Sequence, residues 1–268
     1  MDLHHRSMLL TGAGSGIGAS LALRLAEHGA RLTLVGRRQA PLEEVADKVR
    51  AAGGEAQVVP ADLTDPGVPA GVVGAAVERF GGLDVVVNNA GNVRAGRLER
   101  IADDEVLAQV ALNLTAPILL TRAALGALRA GGEGLVVNVS SAIALVGMPF
   151  YSVYAATKAG VAHFGEALRR ELYGEGVSVL TVYPGATRTA MMETSKAGPE
   201  LGFDYESPDA VAAAVVEAMI DGRISVVRGG ETRSRMIAAN RNDPATVDRM
   251  LAERKDSLEE AVSDHSSL

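Results

Sequence analysis

Tyr154 and Lys158 stand four residues apart in a stretch of helical character, so their side chains face the same way. A phenol held beside a fixed ammonium has a stabilised phenolate, so the spacing predicts a lowered tyrosine pKa and proton exchange near neutral pH. Upstream, the apolar run Leu135–Val139 is bounded by Gly131, Gly132 and Gly134 and reads as a strand buried on both faces. Ser140 and Ser141 fall at its carboxyl end, where either hydroxyl could reach the tyrosine.

These groups need elements that hold them together. Met8–Thr11 is a short apolar strand running straight into Gly12-Ala-Gly-Ser-Gly-Ile-Gly18, and a helical pattern with Leu21, Leu25 and Ala26 on one face follows. Strand, glycine turn and helix in that order form a phosphate-binding context: glycines admit the pyrophosphate and the helix start offers free N–H groups. The second strand, Arg31–Gly36, ends without the acidic residue that would bind an adenosine ribose; Arg37 and Arg38 stand there instead and suit the 2′-phosphate of NADP. Strands at 56–60, 83–87, 135–139, 177–182 and 224–227 alternate with helices at 41–52, 65–80, 152–172 and 209–220, with one long or two shorter helices at 103–130. This alternation predicts an α/β fold: a doubly wound parallel sheet of about seven strands, Rossmann-like, between two helical layers. Gly12, Arg37, Asp62, Asn88 and Ser141 all fall at strand carboxyl ends, where such sheets bind ligands. Asn113 lies in an apolar helical stretch and needs partners.

Composition removes other classes. At 268 residues, 47% of them hydrophobic, the chain can build one sizeable core; it reads as one domain over 1–228 with a helical tail at 229–268, where Val247, Met250, Leu251, Leu258 and Val262 recur at helical spacing. A net charge of −7 with 3% aromatics argues against nucleic acid and anionic membrane as partners. The absence of cysteine removes thiol chemistry. The longest apolar stretches are interrupted by Asn113, Arg122 and Glu217, so none is expected to cross a bilayer unaided, and with no signal-peptide pattern at residues 1–8 a cytoplasmic location is expected. His4, His5, His28, His163 and His265 have no companions at metal-ligand spacing, so no catalytic metal is expected.

Taken together the motifs resemble the short-chain dehydrogenase/reductase family: Thr11-Gly-x-x-x-Gly16-x-Gly18, Asn88-Asn-Ala-Gly91, Asn113, Ser141 thirteen residues before Tyr154-x-x-x-Lys158, and Pro184-Gly185 with Thr189. The resemblance spans about residues 8–228. It implies a catalytic set of Asn113, Ser141, Tyr154 and Lys158. Tyr154 would exchange the proton and Ser141 would bond the substrate oxygen. Lys158 would hold the nicotinamide ribose, and Asn113 would position a water leading from Lys158 to solvent. The implied cofactor set is Gly12, Ser15, Gly16, Ile17 and Gly18 at the pyrophosphate, Arg37 and Arg38 as NADP determinants, and Asp62 and Leu63 at the adenine. Asn88, Ala90 and Gly91 would border the cofactor, with Tyr154, Lys158, Pro184, Gly185, Thr187 and Thr189 completing the set. Ser15 occupies a loop position that is basic in some NADP users, which leaves the cofactor assignment on Arg37 and Arg38, with NAD as the alternative.

The expected activity is NADP(H)-dependent interconversion of a secondary alcohol and a ketone. Competing readings are an NAD-linked alcohol dehydrogenase, a nucleotide-sugar epimerase or dehydratase, for which about forty tail residues supply too little substrate domain, and a catalytically silent NADP(H)-binding sensor or scaffold. Val93, Leu145, Met148, Phe150, Met191, Met192, Leu201 and Phe203 are the expected pocket lining and favour a lipophilic small-molecule substrate. A homodimer or homotetramer is implied by resemblance alone.

Overall fold

The computed structural model describes residues 1–268. Seven strands form one parallel sheet: β1 (Ser7–Thr11), β2 (Arg31–Gly36), β3 (Glu55–Pro60), β4 (Val85–Asn88), β5 (Gly134–Val139), β6 (Val177–Tyr183) and β7 (Ser225–Val227). Their spatial order is β3-β2-β1-β4-β5-β6-β7. Strands β1, β4 and β5 are buried along their whole length, which is why they read as continuous apolar runs, broken within β5 only by Asn138, rather than as alternating ones. Alternate residues nonetheless serve different layers. Met8, Leu10, Val85, Val87 and Val137 enter a core with α1 (Gly16–Glu27), α2 (Gln39–Ala51) and α7 (Pro208–Asp221). Leu9, Val86 and Val136 enter a second core with α3 (Val68–Phe80), α5 (Ala116–Ala130) and α6 (Ser152–Glu171).

The strand order reverses direction between β1 and β4, and the loops after these two strands diverge to leave a cleft at their carboxyl ends. Helix α6 reaches that cleft because it lies directly on the sheet: a Cβ on Gly165 would sit 2.8 Å from Asn138 Nδ2 and 2.9 Å from Thr181 Oγ1. The absence of a side chain there sets the depth of the helix bearing Tyr154 and Lys158.

Three elements differ from the sequence reading. Helix α3 starts at Val68, not Asp65, because Asp65 closes a turn by accepting a hydrogen bond from Gly67 N at 2.8 Å. The stretch 103–130 is one continuous helical run, α4 (Asp103–Val110) passing through a π-turn at Ala111–Thr115 into α5. By length and composition it is apolar enough to cross a membrane, contrary to the expectation; Ala116, Leu120, Ala124 and Leu128 place it in the core instead. The tail is three helices rather than one: α8 (Gly230–Asn242), α9 (Pro244–Ala252) and α10 (Lys255–Val262). Leu258 and Val262 bury against Val93, Ala95, Met148, Tyr151 and Phe203, forming a third core beside the cleft.

Candidate active site

The glycine loop is shaped for a close ligand. Gly12 and Gly16 have φ of +63° and +54°, which glycine adopts without strain. A Cβ on Gly18 would lie 2.2 Å from Gly12 O, so this glycine lets the helix start tuck under the loop. Ser15, the N-cap of α1, makes no side-chain cap, which leaves the first N–H groups of the helix for a ligand. Asn89 ties the loop to the β4 terminus: its Nδ2 donates to Thr11 O at 2.9 Å and Gly12 O at 3.3 Å. Thr11 Oγ1 in turn accepts from Asn89 N and Ala90 N at 2.9 and 3.0 Å. At one end of the same cleft Arg37 and Arg38 are exposed cations, neither held in an ion pair. A pyrophosphate with a further phosphate beyond it fits this set: uncapped amides in the middle and guanidinium groups at the end.

At the other end, β5 and α6 present the hydroxyls and the amine. Lys158 is buried, 4% exposed, and its Nζ donates to Val139 O at 3.0 Å. Ser140 Oγ donates 2.7 Å to Lys158 O and so serves as a brace. Ser141 accepts from Ile143 N at 3.3 Å and faces the phenol of Tyr154. The two serines left open by the sequence therefore have separate jobs. Nζ lies 5.8 Å from the centre of the Tyr154 ring.

The acidities depart from the sequence expectation. Burial pushes the Tyr154 phenol up to about 12, against a smaller lowering from the Ser141 hydroxyl. The expected fall does not occur, because desolvation outweighs the single hydroxyl and Nζ is turned to the Val139 carbonyl. Burial lowers Lys158 to about 8. Tyr154 is thus a protonated phenol at neutral pH, ready to donate.

A cavity of about 360 Å³ joins the two ends. Gly12, Ser15, Gly16, Ile17, Arg37, Arg38, Ala90, Gly91, Ser141, Tyr154, Lys158, Pro184, Gly185, Thr187 and Thr189 line it, as do Val93, Met148, Met191, Met192 and Phe203. Gly18, Asp62, Leu63, Asn88 and Asn113 do not reach its wall, nor do Leu145, Phe150 and Leu201. Leu63 is buried in the core, and the Asp62 carboxylate is occupied by Thr64 N and Oγ1 at 3.0 and 2.7 Å. Those bonds, with Arg37 nearby, hold Asp62 below the usual carboxylate range. Asn88 Nδ2 is used in the core, donating to Asn138 Oδ1 of β5 at 2.8 Å and to Thr121 Oγ1 of α5 at 3.0 Å. Asn113 sits in the π-turn and spends its amide on Asn92, accepting from Asn92 N at 2.8 Å and donating to Asn92 O at 2.9 Å. Across Gly91, where a Cβ would be 3.1 Å from Asn113 Oδ1 and 3.3 Å from Lys158 Nζ, it positions the loop beside the lysine.

The sequence reading missed Asn89, Tyr151, Arg233, His265 and Ser267 among the lining residues. Arg233 has no carboxylate in a salt bridge; it donates to Gly202 O at 3.4 Å and to Met236 Sδ at 3.9 Å. The last two arrive from beyond Val262: Ala95 N donates to His265 O at 2.9 Å, Ser267 N donates to Val93 O at 2.9 Å, and Ser267 Oγ accepts from Val93 N at 3.0 Å.

Comparison with known proteins is consistent with this geometry. The family model described as short chain dehydrogenase matches residues 6–200. The ketoacyl reductase HetN of Nostoc sp. is 34% identical over 252 residues, covering 91% of this chain and 88% of its own. A short chain dehydrogenase of Burkholderia cenocepacia, solved in complex with NADP, superposes with a TM-score of 0.79 at 33% identity, over 86% of this chain and 99% of that one. A variant of the actinorhodin polyketide ketoreductase, solved with NADPH, gives 0.76 at 32% identity, over 84% and 97%.

Proposed function

The chain belongs to the short-chain dehydrogenase family, oxidoreductases acting on CH–OH groups, and from that premise we propose that it interconverts a secondary alcohol and a ketone with NADP(H), Tyr154 exchanging the proton. The observation that carries this reading is a single cleft with Ser141, Tyr154 and Lys158 at one end and the glycine loop with Arg37 and Arg38 at the other. NADPH, when bound, supplies the hydride. Gly12, Ser15, Gly16 and Ile17 would hold its pyrophosphate, and Arg37 and Arg38 would take the 2′-phosphate. Lys158, anchored by donating to Val139 O, would hold the nicotinamide ribose.

Reduction builds negative charge on the carbonyl oxygen. The Ser141 and Tyr154 hydroxyls stabilise that charge, and Tyr154 delivers its proton as the charge develops. A phenol at about 12 is a weak acid toward water but a strong enough donor toward a nascent alkoxide. The surrounding Val93, Met148, Met191, Met192 and Phe203 exclude water from the reacting centre.

Titration with NADPH and NADH tests the cofactor assignment. Wild type is expected to bind NADPH at least about tenfold more tightly, about 1.4 kcal/mol, and the Arg37→Ala/Arg38→Ala double variant is expected to lose that margin. Equal affinities in wild type would refute the role of the arginines. In ketone reduction with NADPH, Tyr154→Phe is expected to lose about 10²–10⁴-fold in kcat; full activity in that variant would remove Tyr154 from the mechanism.

A further inference from the structure

The cavity is cationic in an acidic protein. No aspartate or glutamate lines it, although the chain carries 33 acidic residues against 26 basic ones. Its charged lining is Arg37, Arg38, Lys158 and Arg233. The proposed coenzyme accounts for the first two, and Lys158 Nζ is anchored on Val139 O. Arg233 is the cation left over.

Arg233 is held unlike several other half-buried arginines of this chain. Arg6, Arg94, Arg97 and Arg228 each meet a carboxylate, that of Asp84, Glu105, Glu259 and Glu206, at 3.0, 2.9, 2.5 and 2.7 Å. Arg233 Nη1 donates only to Met236 Sδ, at 3.9 Å, and Nη2 only to Gly202 O, at 3.4 Å. Three of its five N–H groups therefore have no protein acceptor. Asp204 is exposed and acts on the guanidinium through its field without forming an ion pair. Burial nonetheless lowers the Arg233 pKa, so this cation bears a desolvation cost that no protein carboxylate offsets.

The guanidinium stands at the substrate end of the cavity. Its contact with Gly202 puts it beside Phe203, whose ring lies 6.2 Å from that of Tyr151, which in turn lies 6.4 Å from that of Tyr154. Two aromatic rings thus stand along the way from the guanidinium to the catalytic phenol, so an anion held by Arg233 is several bonds from the reacting carbonyl. Gly229 makes room for the arginine: a Cβ there would lie 3.0 Å from Arg233 Cβ and 3.1 Å from its Cγ.

We propose that Arg233 is a specificity-determining residue, and that the substrate is a ketone carrying a carboxylate several bonds from its carbonyl. A carboxylate matches a guanidinium in charge and in its two coplanar oxygens. A phosphate dianion would exceed the one positive charge on offer. Met191, Met192 and Phe203 then face the carbon chain between the two groups. The ketone half of this statement rests on the proposed oxidoreductase activity; the carboxylate half rests on Arg233 itself.

The test uses levulinic acid and its longer straight-chain homologues, together with 4-oxocyclohexanecarboxylic acid, each beside its own carboxamide near neutral pH. The amide keeps the size and removes the charge. Binding to NADP⁺-loaded protein is measured by calorimetry and reduction by NADPH oxidation. At least one acid is expected to exceed its amide by about tenfold or more in affinity and in kcat/KM, the scale of hydrogen bonds to a charged group. Arg233→Gln is expected to shrink that ratio toward one, and Arg233→Lys, which keeps the charge without the fork, to retain part of it. Arg233→Met, with a straight apolar stem, decides the matter if Arg233→Gln fails to fold. NADPH affinity is measured separately in each variant.

No acid preferred over its amide in wild type, failure of every acid to bind, or a preference that survives Arg233→Gln overturns the assignment. A loss of NADPH affinity in that variant as large as its loss on the acid also overturns it, by putting the guanidinium on the coenzyme. Selective binding of an acid without reduction of any ketone leaves the role of Arg233 standing and overturns the oxidoreductase reading. Reduction of acids and amides with equal kcat/KM does the reverse.

Discussion

Lys158 is an amine kept where a charge is costly, and that cost is measurable. Its pKa falls from the ordinary 10.5 to about 8 through burial. Between these values the unfolded chain holds the proton and the folded chain does not. Stability attributable to this residue therefore rises with pH across that window and is flat below it. Urea unfolding of the cofactor-free protein at pH 7.5, 9 and 10.5 should show wild type gaining on Lys158→Met by about 3 kcal/mol; a constant difference would mean that the ammonium is not buried. The Tyr–Lys spacing was legible because four residues make one helical turn. The direction of the tyrosine's shift was not, because spacing carries no information about desolvation or about where an amine finds its carbonyl.

The π-turn at Ala111–Thr115 shows how an element can be tuned by one side chain. It lets Asn113 turn its amide onto both backbone groups of Asn92, which fixes the loop carrying Gly91 and Val93. Asn113→Ala would leave two buried backbone groups unpaired, at about 1–3 kcal/mol each. A loss of about 2–6 kcal/mol is expected in urea unfolding, along with a fall in kcat for ketone reduction. A loss below 1 kcal/mol would show that water replaces the amide. An asparagine in an apolar helix announced that it needed partners, but a helical period cannot show an inserted residue. The strands were legible for a simpler reason: β1, β4 and β5 are buried on both faces, so their cores are runs of Leu and Val in which Asn138 is the one polar interruption.

At the scale of the whole molecule the cleft is built from distant parts of the chain. Its cofactor end comes largely from residues 12–38 and from loops that follow β4, β5 and β6. Its substrate end is closed by residues 263–268, clipped antiparallel to Val93–Ala95. Deleting 263–268 should spare NADPH affinity within about twofold, since no group at the glycine loop is touched, while ketone kcat/KM falls at least about tenfold with the loss of pocket burial and hydrogen bonds. An equal fall in NADPH affinity would show that the segment supports the whole cleft. This contribution was hidden in the sequence: His265 sits in a polar stretch, and only the third core, formed with Leu258 and Val262, draws it inward.

The clip between Val93 and Ser267 also sets an order of events during synthesis. Every group proposed to hold the coenzyme, and every group proposed to do chemistry, has been translated by the time Thr189 is made. The cavity wall formed by His265 and Ser267 comes later, with the last residues of the sequence. The helix of the glycine loop, α1, shares its core with α7, however, so the coenzyme end is packed only once Pro208–Asp221 has been made, still ahead of the segment clipped to Val93.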